Sequence, residues 1–128
     1  MNNVIMRNEK LYRVIKRSQP DTIDECGIPT SALFKQDNGV SVDRDGNRPE
    51  PEIIECMKNS FAERFKGLVS VGADVCIDNE MAVIPDHDFH AEIFDNLKKD
   101  PLSQLKALIL ADSCRIVTLD DTVAWVNL

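Results

Sequence analysis

Ile54, Met57, Phe61 and Phe65 recur at spacings of three and four, the signature of one apolar stripe along a helix. Pro51 suits the first helical turn, Glu50 and Glu52 favour the positive end of the helix dipole, and Gly67 is placed as a terminator. The pattern predicts a helix over about 51–66. A second start signal, Asp100 as N-cap followed by Pro101, predicts a helix over about 101–112 that buries Leu102, Leu105, Leu108 and Ile109.

Elsewhere the apolar residues come in shorter runs. Leu11–Lys16, Leu68–Val71, Met81–Ile84, Arg115–Leu119 and Val123–Val126 read as strands, with Pro85 expected to stop the third of them. Ser18–Pro29 reads as a loop, inside which Thr22-Ile23-Asp24-Glu25 fits a capping box and one short helical turn. Ala32–Lys35 and Val40–Arg44 flank Asp37-Asn38-Gly39, and Asn-Gly between two apolar runs predicts a β-hairpin. Ala73–Glu80 is a candidate short helix, and Asp120-Asp121 a turn. Together these elements predict a single α+β domain over 1–128, a mixed and mainly antiparallel sheet with the two main helices packed on it.

Composition changes this picture little: 43% hydrophobic and 29% charged residues in a 128-residue chain are those of a soluble globular domain. No apolar run is long enough to span a bilayer, and no basic region leads into an apolar segment near residue 1. The expectation is a cytoplasmic protein. Cys26, Cys56, Cys76 and Cys114 form no Cys-x-x-Cys pair and read as buried or half-buried thiols.

Charge is unevenly placed. Arg7, Lys10, Arg13, Lys16 and Arg17 against Glu9 make residues 1–17 net +4, so the remaining 111 residues carry −11 of the total −7. An acidic body disfavours nucleic acid or an anionic membrane as a broad partner. The basic segment reads as the solvated face of an edge strand.

The two histidines, His87 and His90, fall in Asp86-His87-Asp88-Phe89-His90-Ala91-Glu92, beside three carboxylates. On a helix the spacing of three would suit a metal; on an extended segment it points the rings to opposite faces. No complete metal set is legible, and neither a metal nor a cofactor is expected. His90 is the candidate proton shuttle, with Glu92 orienting its imidazole. Arg44 and Arg48 flank a turn ahead of a helix N-terminus, and with Ser41 they form a candidate anion site. Asp43-Arg44-Asp45-Gly46-Asn47 begins like a calcium loop, but Arg48 and Ile54 stand where that loop needs glycine and glutamate. The order Arg13, Ser41, Glu92 follows the Arg–Ser–Glu pattern of ADP-ribosyltransferases; the Ser-Thr-Ser run around Ser41 is missing, which sets that option aside.

Val40-Ser41-Val42-Asp43-Arg44, the segment from Pro85 to Ile93, and Leu110-Ala111 through Arg115-Ile116-Val117 together resemble a group of small uncharacterised bacterial proteins. The resemblance spans roughly residues 30–117. It implies a bacterial origin and places weight on Arg44 and His90 as one site, without an activity to carry over.

Two functions follow as expectations. The first is an accessory protein acting through a protein partner or a homo-oligomer, joined at an edge strand formed by the basic N-terminal segment or by the Trp125 segment. The second is a small enzyme or ligand-binding domain for a phosphate-bearing or nucleotide-like molecule, using His90 and Arg44.

Overall fold

A computed structural model describes residues 3–120, so the strand expected around Trp125 lies outside the described residues. Among the described residues six strands form one sheet: β1 (Lys10–Lys16), β2 (Val40–Arg44), β3 (Phe65–Gly72), β4 (Ala82–His87), β5 (His90–Phe94) and β6 (Arg115–Leu119). Their spatial order is β4-β5-β2-β1-β3-β6, and every pairing is antiparallel. Among the described residues the sheet is accompanied by three α-helices, α1 (Glu50–Phe61), α2 (Ala73–Asp78) and α3 (Gln104–Ser113). The α+β expectation holds, with the sheet wholly antiparallel. Among the described residues no helix is long and apolar enough to cross a membrane.

Strand alternation splits the core into two layers. Leu11, Ile15, Val40, Val42, Val69, Val71, Ala91 and Ile93 pack on one face with α2, α3, Leu33 and Phe34. Tyr12, Val14, Phe65 and Leu68 pack on the other against Ile53 and Met57 of α1. The two main helices therefore cover opposite faces of the sheet.

Several local expectations are corrected by this packing. The Asn38-Gly39 hairpin does not form: Ser31–Phe34 is a turn of 3-10 helix that buries Leu33 and Phe34, and β2 pairs with β1 and β5 instead. Gly39 serves by its missing side chain, since a Cβ there would lie 2.6 Å from the Phe94 ring. Helix α1 ends at Phe61, where Ala62 takes a positive φ of 51°, and Phe65 opens β3 rather than the last helical turn. Helix α3 starts late, with Ser103 as N-cap accepting from the Lys106 N–H. It buries Ala107, Leu110 and Ala111, and leaves Leu105 67% and Leu108 44% exposed. Residues 105–111 are apolar on nearly every side except at Lys106, so periodicity could not select the buried face; the small alanines did, by letting the helix approach the sheet.

Two corrections bear on the site. Strand β4 runs through Pro85 to His87, which an edge position allows because no ladder N–H is required there. And β1, the basic segment, is an inner strand between β2 and β3, not an edge.

Candidate functional site

The ladder between β1 and β2 is short. It holds Leu11 opposite Arg44 and Tyr12 opposite Asp43, and then stops. Beyond it the strands separate, and the side chain of Arg13 fills the gap. Its Nε donates to the Leu33 carbonyl at 3.0 Å, an acceptor left over at the end of the 3-10 turn, and its Nη1 donates to the Ser41 carbonyl at 2.9 Å. Arg13 is only 7% exposed. It makes no ion pair among the described residues, and its Nη2 has no hydrogen-bond partner there, although that atom is not sealed from solvent. Burial pushes the guanidinium down to about 10, which still leaves it cationic at neutral pH.

The gap opens into a cavity of about 400 Å³ between the end of α1 and strands β1, β2 and β5. Arg13, Lys16, Gln36, Ser41, Ser60 and His90 supply its polar lining, with Met57 and Phe61 as an apolar wall. Lys16 is held below its usual range by burial, with repulsion from Arg13 and Arg64 added to it. Its ammonium lies 5.6 Å from the centre of the Phe61 ring. The one acidic residue in the lining, Asp43, accepts from Arg48 at 3.2 Å. The cleft is thus a concave, mixed polar and apolar site whose deepest charge is a cation.

His90 sits at the edge of this cleft on β5, opposite Asp43 in the register. Its Nδ1 lies 2.6 Å from Oδ1 of Asp86. Asp86, not Glu92, holds the imidazole: Glu92 lies opposite Ser41 on the same face, and its carboxylate closes over Gly39. The expectation that His87 and His90 diverge is overturned. They flank a two-residue turn, Asp88-Phe89, and face each other across the β4–β5 hairpin with ring centroids 4.8 Å apart and 6° between planes. Asp88 takes the positive φ of 33° that such a turn needs, which aspartate tolerates. The hairpin tip is anchored from below: the Arg44 N–H donates to the Phe89 carbonyl at 2.6 Å, and the Arg48 guanidinium lies 3.8 Å over the Phe89 ring.

Arg44 does not join His90. Strand parity puts it on the Val40 and Val42 side of β2, whereas Asp43 and His90 project from the other. It is 1% exposed and donates from Nε and Nη2 to the two oxygens of Glu9, at 2.7 and 2.9 Å, and from Nη2 to the Val4 carbonyl. Arg48 is bound to Asp43 and to the carbonyls of Arg44 and Asp45. The expected anion clamp is therefore a structural ion pair and a hairpin brace. Of the expected site residues, the cleft unites His90 with Ser41, and the residue that completes it is Arg13.

Arg13 carried a signal in the sequence. Within Leu11, Arg13 and Ile15 it occupies the inward parity of a strand whose neighbours are fully buried. A cation at such a position requires a special partner or a ligand. Asp86 carried no comparable signal, because its contact with His90 depends on a turn formed between two strands.

Compared with family models, with curated proteins and with solved structures, the chain matches none of them.

Proposed function

We propose that this protein binds a small phosphate-bearing molecule in the Arg13 cleft, with the anion held by Arg13 and Lys16 and the rest of the molecule lying against Met57 and Phe61. One observation carries this reading: a buried guanidinium, hydrogen-bonded to two backbone carbonyls but with no carboxylate partner among the described residues, on a residue that lines a cavity. Buried charges are ordinarily paired, because removing an ion from water costs several kcal/mol that only a counter-charge offsets. The planar fork of arginine suits phosphate oxygens. Ser41, Gln36 and Ser60 add neutral polar contacts, and His90, oriented by Asp86, stands at the rim as the group that can move a proton.

The alternative of an interaction protein rests on less, two exposed leucines three apart on α3, Leu105 and Leu108. The direct test is calorimetric titration of the whole chain with inorganic phosphate and with nucleoside monophosphates. Saturable binding that Arg13→Met reduces at least about tenfold, a loss of about 1.4 kcal/mol, is the expected result. Binding of equal strength in Arg13→Met would overturn the proposal, as would the absence of binding by the unmodified protein.

A further inference from the structure

The tip of the β4–β5 hairpin gathers a second set of groups. One ligand-capable atom from each of Asp86, His87 and His90 lies within 4.8 Å of the others, all three on side chains that solvent reaches. We propose that these three residues bind a zinc ion.

The chemistry of the donors supports zinc. Two imidazoles and one carboxylate are a borderline-soft set, suited to a first-row dication rather than to calcium or magnesium, which take oxygen ligands. Zinc bonds to such donors are about 2.0–2.2 Å long, so its ligand atoms stand about 3.3–3.6 Å apart in a tetrahedron. A cluster spanning 4.8 Å is wider than that, so binding an ion turns the stacked His87 and His90 rings, now 6° from parallel, until their in-plane lone pairs meet at one point. The backbone is already in place: the His87–His90 register and the two-residue turn set both rings on one face, and Phe89 is clamped by Arg44 and Arg48.

One pair of these atoms is already hydrogen-bonded, closer than two ligands of one ion stand. Nδ1 of His90 and Oδ1 of Asp86, 2.6 Å apart, share one hydrogen. An ion entering there accepts electron pairs from both atoms and replaces that hydrogen, which leaves as a proton to solvent when the imidazole is charged. Three protein ligands leave one tetrahedral position open, the arrangement of a reactive zinc rather than of a closed structural one. The site needs nothing from Arg13, although His90 also borders the cleft.

The chain has only these two histidines, so imidazole signals in NMR report this site alone. The experiment is zinc titration of the full chain, read by the ring nitrogens and by calorimetry, in a Cys26→Ser background because Cys26 is an exposed thiol. Both rings should shift and saturate at one equivalent. His87→Ala, His90→Ala and Asp86→Asn each remove one ligand and should each weaken zinc binding by at least about tenfold. Arg13→Met should leave it unchanged, so failure here and failure of the phosphate proposal are separate results. The substitutions fall at a surface tip, and circular dichroism checks that the fold persists. Unmoved imidazole signals at one equivalent of zinc would overturn the proposal. So would undiminished binding in the two histidine variants.

Discussion

Arg13 and Arg44 are both buried arginines on neighbouring strands, and they are opposite in kind. Arg44 has Glu9 on two of its nitrogens and lies on the side of the sheet that holds the larger core. Arg13 has two backbone carbonyls, no carboxylate among the described residues, and an open cavity beside it. A paired and enclosed charge has its solvation replaced by the protein and needs nothing further. An unpaired one at a cleft keeps an electrostatic deficit that an arriving anion can fill. The contrast teaches that burial alone does not distinguish the two arginines; the missing counter-charge does.

The largest expected effect comes from breaking the pair. Glu9→Gln leaves the Arg44 charge buried without its carboxylate and should cost about 3–5 kcal/mol in urea unfolding. Replacing both partners together, Glu9→Met with Arg44→Met, should cost clearly less, because no orphaned charge remains. A double variant worse than the single one would erase the distinction between the two arginines.

Acid should break the same pair. Burial raises the Glu9 carboxyl, but hydrogen bonds from Arg44 and the Met6 N–H, with the Arg44 charge, outweigh it and hold the group below its ordinary value of 4.5. A carboxylate lowered in the folded state stabilises above its unfolded value and loses that contribution as pH falls through the folded one. The stability gap between the unmodified protein and Glu9→Gln should therefore be full at neutral pH and shrink below about pH 4.5. A gap that stays constant down to the acid unfolding limit would contradict the assignment.

The Arg13 side is sharpened by ligand linkage. Phosphate present at 100 times its dissociation constant should stabilise the protein by about 2.7 kcal/mol, and Arg13→Met should lose most of that gain. Glu9→Gln should keep it, measured against its own ligand-free midpoint. The smallest effect belongs to the brace between the regions: Arg48→Ala removes a ring contact and the Asp43 pair, for about 1–2 kcal/mol. A larger loss in thermal melts would make Arg48 more central to the hairpin than one ring contact and one ion pair imply.

Legibility in the sequence varied with the range of the interaction. Helix α1 was readable because Pro51, the two glutamates and the apolar spacing all act within a few residues. The hairpin expected at Asn38-Gly39 failed because a turn preference is a local term of a few tenths of a kcal/mol up to about 1, smaller than the burial of Leu33 and Phe34. The reading of Gly39 failed with it, since its constraint comes from Phe94, 55 positions away. His90 is legible from the clustering of both histidines beside three carboxylates in one short segment. The parity of β2 puts Arg44 on the Val40 and Val42 side, but only the β2–β5 register, with Asp43 opposite His90, sets Arg44 and His90 on opposite faces.

By itself the sequence determined the α+β class, the existence of α1 and most strands, and the gathering of both histidines into one segment. Those follow from side-chain periodicity and capping, forces that act over one or two turns of chain. Strand order decided the rest. It made β1 an inner strand and so buried Arg13, it parted β1 from β2 to open the cleft, and it set His87 across from His90. Each of these is a relation between segments far apart in sequence, decided by which faces bury the most apolar area and not by any local preference.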